Sequence, residues 1–212
     1  MIIDMNIKET FSLKKIVLMI VGVAIMSFGC GMLVKTGYGA DTSNALLTGI
    51  ANMTGISVGN TNAIATVIFI IISYFLSKKR IGLCTVLVPL IISFPIDFAI
   101  RVCIKAPDLF TGILLDFVAL YIISFGAAIT IEFDLGASPF DCLSLGIADC
   151  FHLNFVTAKY LLDAFCVLSG YLLKGEVGVG TLLCLLVMGP FISFNQKLLR
   201  KICESFKQQT DK

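Results

Sequence analysis

A stretch near the start of the chain returns roughly 97 positions later, inside strongly apolar sequence. The matched pairs are Ser27-Phe28-Gly29 with Ser124-Phe125-Gly126, Gly39-Ala40 with Gly136-Ala137, and, after a one-residue slip, Gly82 with Gly178 and Thr85 with Thr181. Membrane proteins with two like halves are commonly built around broken helices that meet in mid-membrane. The sequence therefore predicts two related halves, repeat one at about 15–103 and repeat two at about 109–200.

Composition places this duplicated sequence in a lipid bilayer. Hydrophobic residues make up 58% of the chain and charged residues 14%, and the mean hydropathy is +0.97. Soluble domains carry about 25% charged residues. A net charge of +2 gives no reason to expect a nucleic-acid partner. We expect one membrane domain over 1–212 whose main partner is the bilayer.

Six apolar stretches are long enough, or nearly so, to cross a membrane, which takes about 20 residues. They are 15–35, 60–77, 81–103, 109–132, 155–173 and 177–199. A shorter segment lies in each half, at 42–53 and 138–150, and each follows a glycine-containing break. The sequence predicts an all-α integral membrane protein with six transmembrane helices in two inverted-topology repeats. Each repeat would also contain one short helix, either re-entrant or interfacial.

Basic residues indicate the orientation. Three crossings per half invert the second half, and this arrangement places Lys78-Lys79-Arg80 on the cytoplasmic side. The corresponding Lys174-Gly175-Glu176 then lies outside and has lost most of its positive charge. We therefore expect cytoplasmic termini, with short tails at 1–14 and 201–212.

The second break has the residues of a helix N-terminus. Ser138 suits the N-cap, Pro139 suits the first helical position, and Asp141 stands three residues after the cap, as in a capping box. Gly136 precedes this group. Asp141 could serve only as a capping residue, or its carboxylate could face a central cavity.

The first break has the same pattern with different residues. Gly39 is followed by Asp41 at the cap and by Asn44 at the third position. If both short helices dip inward from opposite faces, their N-termini line one interior site. Asp141, Asn44, Asp41, Ser138, Gly136 and Gly39 are then the candidate substrate-binding residues. Capping alone remains the other interpretation.

Further ionisable residues lie within the apolar spans. Asp97 and Asp163 are candidates for ion or proton coupling, together with Lys159, one turn before Asp163. The spacing of Lys159 and Asp163 also fits a structural ion pair within one helix. Asp116 lies in the outer third of its span, and we expect it to reach the interface.

The sequence contains no motif for catalysis or cofactor binding. There is no HExxH, Walker A pattern or nucleophile elbow, and His152 is the only histidine. The eight cysteines form no CxxC pair, so we expect them to be packing residues. We expect no enzymatic activity, no cofactor and no metal site.

The second half resembles a known family. Gly136-Ala137-Ser138-Pro139-Phe140-Asp141, then Gly178-Val179-Gly180-Thr181 and Gly189-Pro190, are similar to the YczE-like proteins, the YczE, YyaS and YitT types. In the first half Thr42 stands in place of the proline and Asn44 in place of the aspartate. The resemblance implies a multi-pass protein of the bacterial cytoplasmic (inner) membrane, and it implies no particular substrate.

Two hypotheses follow from the sequence. The first is a small secondary transporter or permease that moves an unknown small molecule or ion through a site between the two short helices. The second is a non-transporting accessory or regulatory protein that binds a partner helix or lipid, with its polar breaks capped and dry. A homodimer is compatible with either one, since six short-looped helices enclose little space.

Overall fold

The computed structural model describes residues 13–76, 83–132 and 138–210, and its regular structure there is entirely helical. Eight helices occur in that part of the chain: α1 (Leu13–Thr36), α2 (Thr42–Thr54), α3 (Val58–Leu76), α4 (Leu83–Val102), α5 (Leu109–Glu132), α6 (Pro139–Phe151), α7 (Phe155–Leu172) and α8 (Val179–Thr210). The prediction of an all-α protein is confirmed, and a helix lies at each of the eight predicted segments.

Four of the described helices contain segments long and apolar enough to cross a membrane. They are Ile16–Thr36, Val58–Leu76, Leu109–Ile131 and Val179–Ile202. The helices α4 and α7 lie where the other two spans were predicted. The short helices α2 and α6 have 13 residues each. At 1.5 Å per residue such a helix covers about 20 Å, less than the ~30 Å hydrocarbon core.

Small residues bring α1 and α5 into close contact. A methyl group on Gly126 of α5 would lie 2.5 Å from the carbonyl oxygen of Gly22. One on Gly29 would lie 2.7 Å from the side chain of Ile123. Since transmembrane helices associate through backbone approach at small residues, these glycines join the two halves. The small residues of α1 therefore serve packing within the chain.

The remaining long helices pack within their own half, whereas the short helices pack across the halves. Helix α1 packs against α4, and α5 packs against α8. The short helix α2 packs chiefly against α7, and the short helix α6 packs chiefly against α3. Each short helix is therefore held mainly by a long helix of the other half.

The contact between the last two long helices differs between the two halves. Helices α3 and α4 pack extensively, whereas α7 and α8 scarcely touch within the described residues. A methyl group on Gly59 of α3 would lie 2.2 Å from the carbonyl oxygen of Ser93 on α4. Asp97 of α4 accepts hydrogen bonds from the Gly59 amide at 2.9 Å and from the Ser57 hydroxyl at 2.6 Å. The carboxylate of Asp97 thus caps the N-terminus of the neighbouring helix.

The second half lacks these features. Val156 stands near the point that corresponds to Gly59, and Ser193 corresponds to Asp97. Helix α7 is capped instead by its own Asn154, which accepts a hydrogen bond from the Thr157 amide at 2.8 Å. Without the glycine and the carboxylate, α7 and α8 make no comparable contact within the described residues.

Candidate functional site

The two short helices lie in tandem beside α3. Three contacts give their positions along α3: Asn44 with Asn62, Phe140 with Phe69, and Gly146 with Leu76. Helix α2 therefore begins beside the first turns of α3, and α6 begins beside its middle and runs toward its end. Because α2 itself ends just before α3 begins, its N-terminus is the end that faces α6.

Helix α7 contacts the same two N-termini from the other side. The Thr42 hydroxyl, in the first turn of α2, donates a hydrogen bond to Oδ1 of Asp163 at 2.6 Å. The ammonium of Lys159 lies 3.0 Å from Oδ1 of Asp141, in the first turn of α6. Lys159 and Asp163 are four residues apart, about 6 Å along the helix axis. The starts of α2 and α6 thus meet across one turn of α7.

We call Asp41, Asp141, Lys159 and Asp163 the central cluster. Lys159 is in electrostatic contact with all three carboxylates and lies 5.0 Å above the centre of the Phe140 ring. Of the two roles considered for Lys159 and Asp163, an ion pair within α7 does not form, since the ammonium pairs with Asp141 of α6. The reason is that α6 brings both a carboxylate and the face of the Phe140 ring to the ammonium. The carboxylate of Asp163 instead accepts a hydrogen bond from the Thr42 hydroxyl.

The N-terminus of α6 forms as predicted. Ser138 is the N-cap, and its hydroxyl oxygen accepts from the Asp141 amide at 3.1 Å. The same hydroxyl donates to Oδ2 of Asp141 at 2.9 Å. Pro139 occupies the first helical position. Gly136, also predicted for this site, lies outside the described residues.

The N-terminus of α2 differs from the prediction. Asp41 is at the N-cap, but its side chain makes no hydrogen bond to the helix amides. Its carboxylate accepts instead from the Ser43 hydroxyl at 2.7 Å and from the side-chain amide of Asn44. Oδ1 of Asn44 accepts from Nδ2 of Asn62 at 2.6 Å. The Asp41 carboxylate therefore binds side chains instead of helix amides. Through the side-chain amides of Asn44 and Asn62, this hydrogen-bonded series reaches α3.

Asn62 and Thr42 are the site residues that sequence reasoning missed. Asn62 is 4% exposed within an apolar helix. A buried side-chain amide in a membrane span needs a partner, so its presence in 60–77 was the available signal. Thr42 had no such signal, because its partner Asp163 is 121 residues away.

Backbone pairing holds the first break in place. The Ala40 amide donates to the carbonyl of Glu176 at 2.7 Å, and the Gly180 amide donates to that of Tyr38 at 2.9 Å. The Thr181 hydroxyl donates to the carbonyl of Ala40 at 2.7 Å. Gly39 has a φ of +140°, and a Cβ there would lie 2.7 Å from the Thr181 amide nitrogen. We call segment 37–41, paired with 176–181, the outer break, after the side on which the topology predicted from the sequence would place it.

The central cluster is partly accessible. The side chains of Lys159 and Asp141 are 37% and 39% exposed, whereas Asp163 is 7% exposed. Lys159 shares its face of α7 with the buried residues Asp163 and Cys166, opposite the exposed Leu161. The accessible part of the ion pair therefore opens toward the interior of the helix bundle. Three carboxylates face one ammonium there.

Two other intramembrane carboxylates lie apart from this cluster. Asp97 caps α3 and lines a pocket of about 450 Å³ together with Asn52 and Arg101. Asp116 is fully buried, at 0% exposure, so the expectation that it reaches the interface is wrong. Helices α1 and α8 cover it because Thr36 and Gly180 are small enough to pack on its carboxyl.

Comparison with known proteins identifies the family. The model of DUF6198, described as a family of unknown function, matches residues 13–197. The chain belongs to the DUF6198 family. An uncharacterised protein of Haemophilus influenzae is 27% identical over 193 residues, which is 91% of this chain and 88% of that protein.

A second relative of this DUF6198 chain supports the resemblance drawn from the sequence. The uncharacterised protein YyaS of Bacillus subtilis is 27% identical over 175 residues, which is 81% of this chain and 87% of that protein. The predicted relationship to the YczE and YyaS types is confirmed. No solved structure matches the chain.

Proposed function

We propose that this protein is a small secondary transporter or permease of the bacterial cytoplasmic membrane. One observation carries the proposal: α7 joins the N-termini of two half-length helices, through Thr42 and Asp163 on one side and through Asp141 and Lys159 on the other. Secondary transporters bind their substrates at mid-membrane, where interrupted helices end. A site of this kind accounts for the buried polar groups in so apolar a chain.

The proposal includes six crossings in two inverted halves, with both termini cytoplasmic. The exchange of short helices supports it, because a two-fold relation between the halves would pair α2 with α7 and α6 with α3. The charge pattern also supports it. Lys78-Lys79-Arg80, outside the described residues, follows α3, whereas Lys174-Gly175-Glu176 follows α7.

The substrate site would lie between the two helix starts. Asp141, Asn44, Asp41, Ser138, Gly136 and Gly39 would line it. Asp163 and Lys159 would couple it to an ion or proton, while Asp97 has a capping role at the start of α3. Because carboxylates outnumber the ammonium, a solute with a positive group would compete with Lys159 for Asp141.

Flux measurements test the proposal. Purified protein in proteoliposomes would be given a panel of amines, amino acids, inorganic cations and organic anions. At least one solute should show flux that is lost in Asp141→Asn and retained in Asp149→Asn, a matched change at an exposed position of α6. Flux indifferent to Asp141→Asn, or no flux for any solute in the panel, contradicts the proposal.

Cysteine labelling tests the topology separately. Single cysteines at positions 44, 80, 141 and 175 would be introduced into a variant without the native cysteines. Position 80 should react from the cytoplasmic side and position 175 from outside. Positions 44 and 141 should react from the same face, the one to which the shared site is open, if both N-termini line one water-filled cavity. Labelling of 80 and 175 from the same side contradicts inverted halves.

A second candidate function is an accessory protein that binds a partner helix, a lipid or a second copy. Helix α8 favours it, since only a narrow stripe packs on α5 while Leu182, Leu186 and Phe194 are 62%, 74% and 59% exposed. This candidate predicts dry, capped breaks. Cysteines at positions 44 and 141 would then be unreactive from either side. Neither candidate assigns a chemical reaction to the chain.

A further inference from the structure

The buried carboxyl of Asp116 has too few hydrogen-bond donors for an ionised group. Oγ1 of Thr36 lies 2.6 Å from Oδ1 of Asp116 and 2.7 Å from the carbonyl oxygen of Leu33. A hydroxyl has one proton, so it cannot donate to both oxygens. Oδ2 of Asp116 has no hydrogen-bond partner among the described residues. An ionised Asp116 would therefore have one donor at most.

A proton on Asp116 satisfies this arrangement. Oδ1–H then donates to the Thr36 hydroxyl, and that hydroxyl donates to the Leu33 carbonyl. The remaining Oδ2 is a neutral carbonyl oxygen, which costs far less to bury than an ionised carboxylate. The Thr36 hydroxyl oxygen makes two short contacts, one with Oδ1 of Asp116 and one with the Leu33 carbonyl oxygen. This geometry fits a carboxylic acid at Asp116 and not a carboxylate.

The groups that surround Asp116 bring no compensating charge to it. Helix α1 contributes the neutral Thr36, and α8 contributes Gly180. The ionisable groups nearest in sequence to Thr36 and Gly180 are Lys35, Tyr38, Asp41, Glu176 and Cys184. None of these five is a hydrogen-bond or ion-pair partner of Asp116. A bound proton is therefore what neutralises the Asp116 carboxyl in this arrangement.

Asp116 also lies against the outer break. A methyl group on Gly180 would be 2.6 Å from Oδ2 of Asp116 and 3.1 Å from the carbonyl oxygen of Gly39. The Gly180 amide is one of the donors that hold the break, through the Tyr38 carbonyl. An ionised Asp116 would compete for this amide or draw in water. Either event weakens the pairing of 37–41 with 176–181.

We propose that Asp116 is a proton-binding site that controls the outer break, which is closed when the carboxyl is protonated and released when it is ionised. Proton binding stands on the hydrogen-bond geometry alone. Its use as a gate rests on the proposed function, because the outer break leads into Asp41 and the start of α2. The proton is then the coupling ion.

Hydrogen exchange tests this in nanodiscs without any transported solute. Amide exchange of 37–41 and 176–181 would be compared at matched pH between wild type and Asp116→Asn, which cancels the intrinsic pH dependence. The ratio of the exchange rate in wild type to that in Asp116→Asn should be near one in acid. It should rise by up to about tenfold per pH unit once the carboxyl ionises, which is the slope expected for the release of one proton. Asp108→Asn, an exposed change on the same side, should follow wild type. A ratio that stays near one at all pH values overturns the gate.

Infrared spectra cover the case in which Asp116→Asn does not fold. Wild type should show the C=O stretch of a protonated carboxylic acid at neutral pH, and Thr36→Val should shift it to higher frequency because the hydrogen bond is lost. A wild-type spectrum without such a band, or a band that Thr36→Val leaves unchanged, overturns the proton site. Since neither measurement uses flux, failure to find a substrate leaves these results intact.

Discussion

Lys159 of α7 pairs with Asp141 of α6 at 3.0 Å, although Asp163 stands one turn away on its own helix. Asp163 is bound instead by Thr42 of α2. One turn of α7 therefore holds the starts of both short helices, each through a different charge. A movement of α7 must therefore change both contacts, and the proposed transport function would depend on this link.

Removing one member of the Lys159–Asp141 pair should lower the free energy of unfolding more than removing both. Lys159→Met leaves a carboxylate without its cation, and Asp141→Asn leaves the cation without its carboxylate. In the double variant neither charge remains. We expect a coupling of about 1 kcal/mol at most, since both side chains are more than a third exposed. Reversible unfolding in mixed detergent micelles measures the cycle, and additive effects would contradict the pair. Lys197→Met, at an exposed site on α8, is the control.

The hydroxyl of Thr42 should matter more than its methyl group. Thr42→Val removes the hydrogen bond to Asp163, which is 7% exposed, and should lower the free energy of unfolding by about 1.5–3 kcal/mol. Thr42→Ser keeps the donor and should lie within about 1 kcal/mol of wild type. The same unfolding assay separates them. Equal losses in the two variants would assign the effect to packing instead.

Gly126 and Gly189 should respond oppositely to alanine. A Cβ on Gly126 would lie 2.5 Å from backbone atoms of α1, so Gly126→Ala should destabilise by about 1–3 kcal/mol. A Cβ on Gly189 meets nothing within 4 Å, so Gly189→Ala in α8 should be neutral or stabilising by up to about 1 kcal/mol. Unfolding midpoints test both. A destabilised Gly189→Ala would indicate that α8 has a partner at that point.

Asp108, which lies outside the membrane-spanning segments, should contribute to stability in a pH-dependent way. Hydrogen bonds from the Thr111 amide and hydroxyl lower the pKa of Asp108 below its ordinary value. Its capping of α5 therefore stabilises the fold above the ordinary pKa of aspartate, about 3.9, and is lost as pH falls through the lower folded value. The unfolding midpoints of wild type and Asp108→Ala should differ at neutral pH and converge on acidification. A difference that persists at low pH contradicts this account.

Helix positions were predictable because they depend on local sequence. The segment predicted at 42–53 is α2 at Thr42–Thr54, and the one predicted at 138–150 is α6 at Pro139–Phe151. Apolar length, glycine breaks and capping residues act within a few positions, so each can be read along the chain. The Ser138 cap of α6 formed for the same reason.

The partners of buried polar groups were not predictable in this way. The spacing of Lys159 and Asp163 allowed a pair within one helix, and position along a span favoured an exposed Asp116. Both inferences used distance along the sequence alone. Packing decided otherwise, because α6 brings Asp141 to Lys159 and α1 covers Asp116 with Thr36.

The amino-acid sequence by itself determined the helical, membrane-like character of the chain and the positions of its two short helices. Those properties follow from apolar length and from breaks, which need no partner. Only the tertiary structure decided that α7 contacts the starts of both short helices, that Asn62 extends the site to α3, and that α7 and α8 have little contact among the described residues. The physical reason is that a buried charge or amide takes the nearest complementary group in space, and that group lies on a different helix.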